Sequence, residues 1–370
     1  MKPTRTRPLT IVADDLTGAC DTGALFTARG PVPVSIWPRR AAADVVVRVV
    51  DTESRALAAA DAAERIATVA AGGRARHWFK KIDSTLRGPV GAEVDALMRA
   101  TGLATAIVCP AFPAQRRVVL DRTLLVGGTP VAATPIARDP AFPAGVGSSV
   151  IDLLRPQLDR ALSWIPIDQL RAGADALTAR VRRLAGTAIV ADAETDADLD
   201  GLVEAALGVT PQPLLVGSAG LGRALAGRLG LLPERAELPA GPRWLVVAGS
   251  AHPATRRQIK EARAAGLTVL ATPERGAADR AEVIARLVEQ AVSAIEREKW
   301  DLVVVTGGET AVALWGALGA DRMEVIGAPA PGLALGQLRL PGREPLAVLT
   351  KAGGFGPPDL LVALQKEVVA

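Results

Sequence analysis

Short β-branched runs alternate with alanine-rich amphipathic stretches along this chain, the pattern of parallel sheets joined by crossover helices. Residues 9–13 and 44–51 read as the first two strands. A helix over 57–71 should end at Gly72-Gly73. Strands at 77–82 and 105–109 flank a helix at 90–100, and 118–131 reads as a hairpin turning at Gly127-Gly128. The proline-rich stretch 130–143 should be irregular; helices over 150–164 and 174–184 and strands at 188–191 and 214–217 complete this half. Residues 227–242 carry three Gly and three Pro among mixed charges and read as a linker. The rhythm then restarts, with strands at 244–248, 268–271, 302–306 and 346–350. Helices are expected at 254–265, 280–298 and 310–318, and a last one after Pro357-Pro358.

The expected fold class is therefore α/β: two α/β domains, 1–226 and 243–370, with largely parallel sheets and an intervening cleft. A length of 370 residues agrees, being too long for one ordinary core. With 49% apolar and 22% charged residues, a disordered chain is excluded. The longest apolar runs, such as 45–47 and 302–305, are strand-length and far below the ~18 residues of a membrane span. The run 9–13 is broken by Asp14-Asp15, too early for a signal segment. The reading is a cytoplasmic protein without a membrane partner. Lys and Arg (43) barely exceed Asp and Glu (39) and are interspersed with them, and aromatics make up 3% with no Tyr, so no nucleic-acid partner is expected. Cys20 and Cys109 lack metal or redox spacing and read as inert core thiols. With His77 and His252 the only histidines, no metal site is expected from protein ligands.

In α/β sheets ligands bind where strands end and helix N-termini converge. The first strand delivers Asp14-Asp15-Leu16-Thr17-Gly18, whose carboxylates can hold a hydroxyl or a metal ion, or simply cap the next helix. The second delivers Asp51-Thr52-Glu53-Ser54-Arg55, and Arg55 can clamp a carboxylate or be a surface charge. The third delivers Lys80-Lys81-Ile82-Asp83-Ser84-Thr85-Leu86-Arg87-Gly88; in a chain with only seven Lys, that pair beside acid and hydroxyls suits a polar anion. In the second half, Ala248 to His252, Thr306 to Thr310 and Lys351 to Gly356 are glycine-rich strand-to-helix turns, whose amides can converge on phosphate. No Walker-type G-x-x-x-x-G-K-[ST] is present, nor a G-x-G-x-x-G after the first strand. His252 can cap, pack or catalyse.

Taken together, Ile11 to Gly18, Asp51 to Arg55, Lys80 to Gly88, Thr306 to Thr310 and Lys351 to Gly356 resemble the four-carbon acid sugar kinase family, in order and over nearly the whole chain. The wording Lys-Lys-Ile-Asp-Ser-Thr and Val-Ala-Gly-Ser is most similar to its threonate kinase branch. The resemblance implies an ATP-dependent kinase acting on the terminal hydroxyl of a four-carbon sugar acid, with the acid on the N-terminal domain and the nucleotide on the C-terminal one. It implies substrate contacts from Asp14 or Asp15, Arg55, Lys81, Ile82, Asp83 and Ser84. It implies ATP contacts from Ser250, Thr306, Gly307, Gly308, Glu309 and Gly353. On that basis Arg55 and Lys81 take the carboxylate, and Asp14, Asp15 and Asp83 take hydroxyls, with Asp83 accepting the attacking proton. The Gly307-Gly308 and Gly353-Gly354 amides cradle phosphates, and Mg²⁺ bridges them through water and Glu309. The chain is shorter than typical members between Ala271 and Leu302, and His252 replaces a small hydroxyl residue. A non-catalytic sensor and a nicotinamide-dependent oxidoreductase are the rival classes, and a homodimer is left open.

Overall fold

The computed structural model describes residues 8–39, 45–72, 75, 77–273 and 279–369. The chain packs as two compact units, Met1–Thr22 with Arg40–Leu232, and Gly23–Arg39 with Pro233–Ala370. Its strands are β1 (Leu9–Ala13), β2 (Val32–Ile36), β3 (Val47–Asp51), β4 (His77–Lys81), β5 (Ala106–Cys109), β6 (Arg117–Leu120), β7 (Thr123–Val126), β8 (Thr129–Pro130), β9 (Leu162–Ile165), β10 (Ala188–Ala191) and β11 (Leu214–Gly217). Then follow β12 (Trp244–Ala248), β13 (Thr268–Ala271), β14 (Leu302–Thr306), β15 (Arg322–Gly327), β16 (Leu333–Arg339) and β17 (Leu346–Lys351).

In the first unit the order is β3-β1-β4-β11-β5-β10-β9, every neighbouring pair parallel. β1, β5, β10 and β11 are buried throughout, which is why they read as unbroken apolar runs rather than alternating ones. The register sets Asp51, Ala13, Lys81, Gly217 and Cys109 in one row at the carboxyl ends. The second unit has the order β13-β12-β14-β17-β16-β15-β2. Its first four strands are parallel, aligning Ala271, Ala248, Thr306 and Lys351, and the rest are antiparallel. Its core packs Trp244, Val246, Ile259, Val304, Leu335, Leu349 and Leu361 together.

Five differences from the sequence reading have identifiable causes. The helix expected over 150–164 ends at Leu154, because Pro156 offers no amide to continue it, and Leu162–Ile165 pairs with β10 instead. The hairpin turns first at Asp121-Arg122 (φ 45° and 64°), whose amides donate to the Asp192 carboxylate at 2.9 and 3.0 Å; Gly127-Gly128 makes a second turn into β8. Helices Asp196–Leu207 and Ala219–Arg228 were not anticipated, although a Thr195/Asp198 capping box marks the first. The second of them runs through residues 227–228, so the irregular connection starts two residues later than the expected linker and covers 229–243. Finally β2, β15 and β16 were missed. Because Val34 pairs with Met323 and Val32 with Val325, the segment Gly23–Arg39 belongs to the second unit although its sequence neighbours belong to the first. The strand expected over 44–51 starts at Val47; residues 44 and 73, named in the sequence reading, lie outside the described residues.

Beneath the first unit's strand ends lies a buried ion pair. Lys80 Nζ stands 3.0 Å from Glu93 Oε2, with side chains 0% and 1% exposed. The Ser54 hydroxyl donates to Glu93 and lies 2.6 Å from the Thr52 hydroxyl, which reaches the Ala13 carbonyl at 2.8 Å. This network ties β1, β4, the loop after β3 and the helix Val90–Thr101. Removing one member of a buried pair strands the other charge. Glu93→Ala should therefore lower unfolding free energy by about 3–5 kcal/mol in denaturant titration, and Lys80→Met/Glu93→Leu should recover most of that. An unchanged single variant would show that Lys80 reaches water without Glu93.

Candidate active site

The loops after β1, β3 and β4 bring Asp14, Asp15, Arg55, Lys81, Asp83 and Ser84 together. Arg55 is the hub. Its Nε donates to Asp14 Oδ2 at 2.7 Å and its Nη2 to Asp15 Oδ1 at 2.6 Å, while Nη1 lies 3.7 Å from Asp83 Oδ2. Burial opposes the Arg55 charge, but Asp14, Asp15 and Asp83 outweigh it and hold the guanidinium's pKa well above its ordinary value. Burial likewise opposes the Asp15 charge, and Arg55 and Lys81 bring its carboxyl below the usual range. Gly18 makes this possible: a β-carbon there would stand 2.6 Å from Lys81 Nζ and 2.5 Å from Asp15 Oδ1. Lys81 Nζ donates to the Ile82 carbonyl at 2.9 Å, and Ile82 itself is fully buried, its amide bonded to the Gly217 carbonyl. Asp14 Oδ1 is buried without a hydrogen-bond partner among the described residues, an acceptor left unclaimed.

Asp83 is the most tightly held carboxylate. Arg87 Nη2 pairs with it at 2.6 Å, and the Thr85 amide (2.8 Å) and hydroxyl donate to it. Against the effect of burial, Arg87 and Arg55 keep its carboxyl well below the usual range. Such a group binds a proton poorly in the ground state. Arg87, quoted in the motif without a role of its own, also reaches Asp139 at 2.9 Å; sequence reasoning passed over Arg117, which donates to the Ser84 hydroxyl from the start of β6. Behind Asp15, burial and the Glu53 carboxylate raise the Asp51 carboxyl well above its ordinary value, and burial and Asp15 raise that of Glu53. Cys20 and Cys109 are both buried, and burial pushes the Cys109 thiol up to about 12.

In the second unit the loops after β12, β14 and β17 converge as expected. Gly307 (φ 106°) precedes the helix Gly308–Ala317, and a β-carbon on it would lie 3.3 Å from the Ser250 amide. A β-carbon on Gly353 would lie 2.5 Å from Ser250 Oγ. Thr306 Oγ1 is buried without a partner at this meeting point. His252 caps the helix Pro253–Ala264, its Nδ1 accepting from the Ala254 amide at 3.1 Å. Glu309 is exposed and receives Arg280 Nε at 2.8 Å.

Lys351, wholly buried, was quoted in the motif but given no role. Its Nζ donates to the carbonyls of Ala352, Phe355 and Gly353 at 2.8, 3.1 and 3.4 Å. Thr255 also takes the Gly353 carbonyl, and Gln258 those of Phe355, Gly356 and Pro357. With its carbonyls turned inward, the loop leaves the amides of Gly353 and Gly354 without an acceptor among the described residues. That is the arrangement an anion needs.

An acid–cation cluster thus lies on one α/β unit and a glycine-lined amide cradle on the other. Residues 9–225 match the sugar-binding N-terminal domain and residues 271–361 the nucleotide-binding C-terminal domain. The chain belongs to the four-carbon acid sugar kinase family. It is 37% identical to a D-threonate kinase of Bordetella bronchiseptica, over 95% of each chain. It is 33% identical to the D-threonate kinase of Salmonella typhimurium, over 94% of this chain and 95% of that one, and 29% identical to a 3-oxo-tetronate kinase of Cupriavidus necator, over 95% of each. Among solved structures, a protein from Salmonella typhimurium described as a putative tRNA synthase superposes with a TM-score of 0.82 at 19% identity, covering 98% of this chain and 99% of that one, a likeness of fold alone. A Bordetella bronchiseptica protein solved as a domain-swapped dimer with bound citrate is 32% identical, with a TM-score of 0.52, covering 97% and 98%.

Burial pushes the Lys351 ammonium down to about 8 from its ordinary 10.5. Between those values the unfolded chain binds the proton and the folded one does not, so stability falls as pH falls from 10.5 through 8 and then levels off. The stability of the wild type relative to Lys351→Met should rise by about 2–3 kcal/mol across that window. Parallel pH–stability curves would place the amine in water.

Proposed function

We propose that this chain is an ATP-dependent kinase for a four-carbon sugar acid of the threonate, erythronate or oxo-tetronate type, phosphorylating its terminal hydroxyl. The acid would bind the first unit and the nucleotide the second. The supporting observation is Asp14: a buried carboxylate, fixed through one oxygen by Arg55 and unpartnered at the other, in a chain identical at one position in three to D-threonate kinases along almost its entire length.

On this reading Arg55 fixes the carboxylates of Asp14 and Asp15 through separate nitrogens, so that each accepts a hydrogen bond from a sugar hydroxyl. Asp83, Ser84 and Lys81 line the same loop. Phosphoryl transfer passes through a loose transition state in which the attacking hydroxyl loses its proton late. A carboxylate of low proton affinity is suited to aiming that hydroxyl, and Asp83 takes this role in place of ground-state proton abstraction. ATP supplies the phosphoryl group. The amides of Gly307, Gly308, Gly353 and Gly354, with Ser250 and Thr306, fit its phosphates, and Lys351 keeps the loop's carbonyls out of their way. No group of three or more metal-binding side chains occurs among the described residues, and Glu309 is engaged by Arg280. Mg²⁺ would therefore arrive coordinated by the nucleotide, as is usual for this ion.

Coupled ADP release with ATP·Mg²⁺ should show turnover with one or more of D- and L-threonate, D- and L-erythronate and the oxo-tetronates. Asp14→Asn should lower kcat/KM for that acid by ~10²-fold or more while nucleotide affinity holds, the scale of a lost charged contact at a reacting group. Binding of both ligands without ADP release above background would replace the kinase by a sensor.

A further inference from the structure

We propose that Arg117, on the hairpin that follows β5, is the anchor for the sugar acid's carboxylate. The inference rests on the reading of the first unit as the acid-binding one, and it reassigns the charge recognition expected of Arg55.

The other cations of the cluster are already engaged within the protein. Arg55 is held by two carboxylates, and Arg87 by Asp83 and Asp139. Lys80 is paired with Glu93, and Lys81 leans on the Ile82 carbonyl beside Asp15. Arg117 has no carboxylate within ion-pairing distance among the described residues. Its Nη1 donates to the Ser84 hydroxyl, its Nε is buried without a hydrogen bond, and among the described residues Nη2 has no hydrogen-bond partner either. The unclaimed Nε–Nη2 edge is the edge of a guanidinium that takes a carboxylate through two parallel N–H···O bonds.

Its surroundings support the same assignment. Asp83, Arg87 and Arg55 are its electrostatic neighbours, so the free edge belongs to the cluster that holds Asp14 and Asp15. A buried guanidinium without a counter-charge is costly, and burial lowers its pKa. An anionic ligand removes that cost, whereas a neutral polyol does not. Ser84 fixes one arm of the fork, and the backbone exchange between Arg117 and Phe112 (2.8 and 3.2 Å) fixes its base. The site thus recognises an acid by a cation held ready and selects against the neutral sugar that shares its hydroxyls.

The test compares the acid with its carboxamide, which keeps the shape and removes the charge. Calorimetric binding and ADP release would be measured for wild type, Arg117→Ala and Arg117→Lys, with nucleotide affinity and thermal melts as controls. Wild type should prefer acid over amide by about 10²-fold, a preference lost in Arg117→Ala through KM more than kcat and partly kept in Arg117→Lys. Wild type indifferent to the charge, or Arg117→Ala weakening acid and amide equally, would overturn the assignment and leave the kinase reading standing. Wild type that binds no four-carbon acid at all would remove that reading, and Arg117's role with it. If the alanine variant fails to melt cooperatively, the lysine variant and the wild-type acid-to-amide ratio carry the comparison.

Discussion

The pairing of Arg55 with Asp14 and Asp15 is the constraint on which the first unit's chemistry depends. Two adjacent carboxylates at a strand end repel each other, and burial raises the tendency of Asp15 to take up a proton. The Arg55 guanidinium between the two offsets the repulsion and, with Lys81, outweighs burial at Asp15. It also fixes their oxygens in space, because its fork accepts them only at set angles. The arrangement needs three strands in parallel register, since Asp14 follows β1, Arg55 follows β3 and the Asp83 loop follows β4. A one-residue slip in either pairing would turn a member of this set toward the opposite face. The buried Lys80–Glu93 pair and the Thr52 and Ser54 hydroxyls lie beneath and resist such a slip.

Much of this was readable in the sequence. Unbroken β-branched runs such as Ile11-Val12 and Val303-Val304-Val305 announce strands covered on both faces, and their carboxyl ends carry the chemistry. The parallel framework and the two loop clusters follow from that rule. The antiparallel strands Arg322–Gly327 and Leu333–Arg339 did not, because their polar and glycine residues blur any two-residue alternation. Pro156 was a visible breaker that the surrounding apolar periodicity outvoted. Among site residues, Asp14, Asp15, Arg55 and the Lys80 to Gly88 loop stand out by local crowding of charge. Arg117 does not: it is one arginine among many, and only the fold reveals that its neighbours leave it without a counter-ion. Lys351 was visible as part of a motif, yet its role is to bond carbonyls of its own loop, a contact no spacing rule encodes.

The two clusters solve opposite problems with the same material. In the first unit, cations and carboxylates neutralise each other and leave Asp14 Oδ1 as a fixed acceptor. In the second, a buried lysine, a threonine and a glutamine take the loop's carbonyls, so that the amides of Gly353 and Gly354 are left without an acceptor among the described residues. Amides of that kind offer an anion backbone dipoles rather than side-chain charge.

The placement of β2 has a consequence for how such proteins can be cut and recombined. The second unit takes an edge strand from residues 32–36, far ahead of the rest of its sequence. A fragment beginning at Pro233 would lack that strand and leave the side of β15 unpaired, a row of amides and carbonyls that invites another chain. The genetic unit of exchange between relatives is therefore not a half-gene. A swap of C-terminal halves keeps its sheet intact only if the incoming β15 is matched to the resident β2, so these two short strands must change together although nearly three hundred residues separate them.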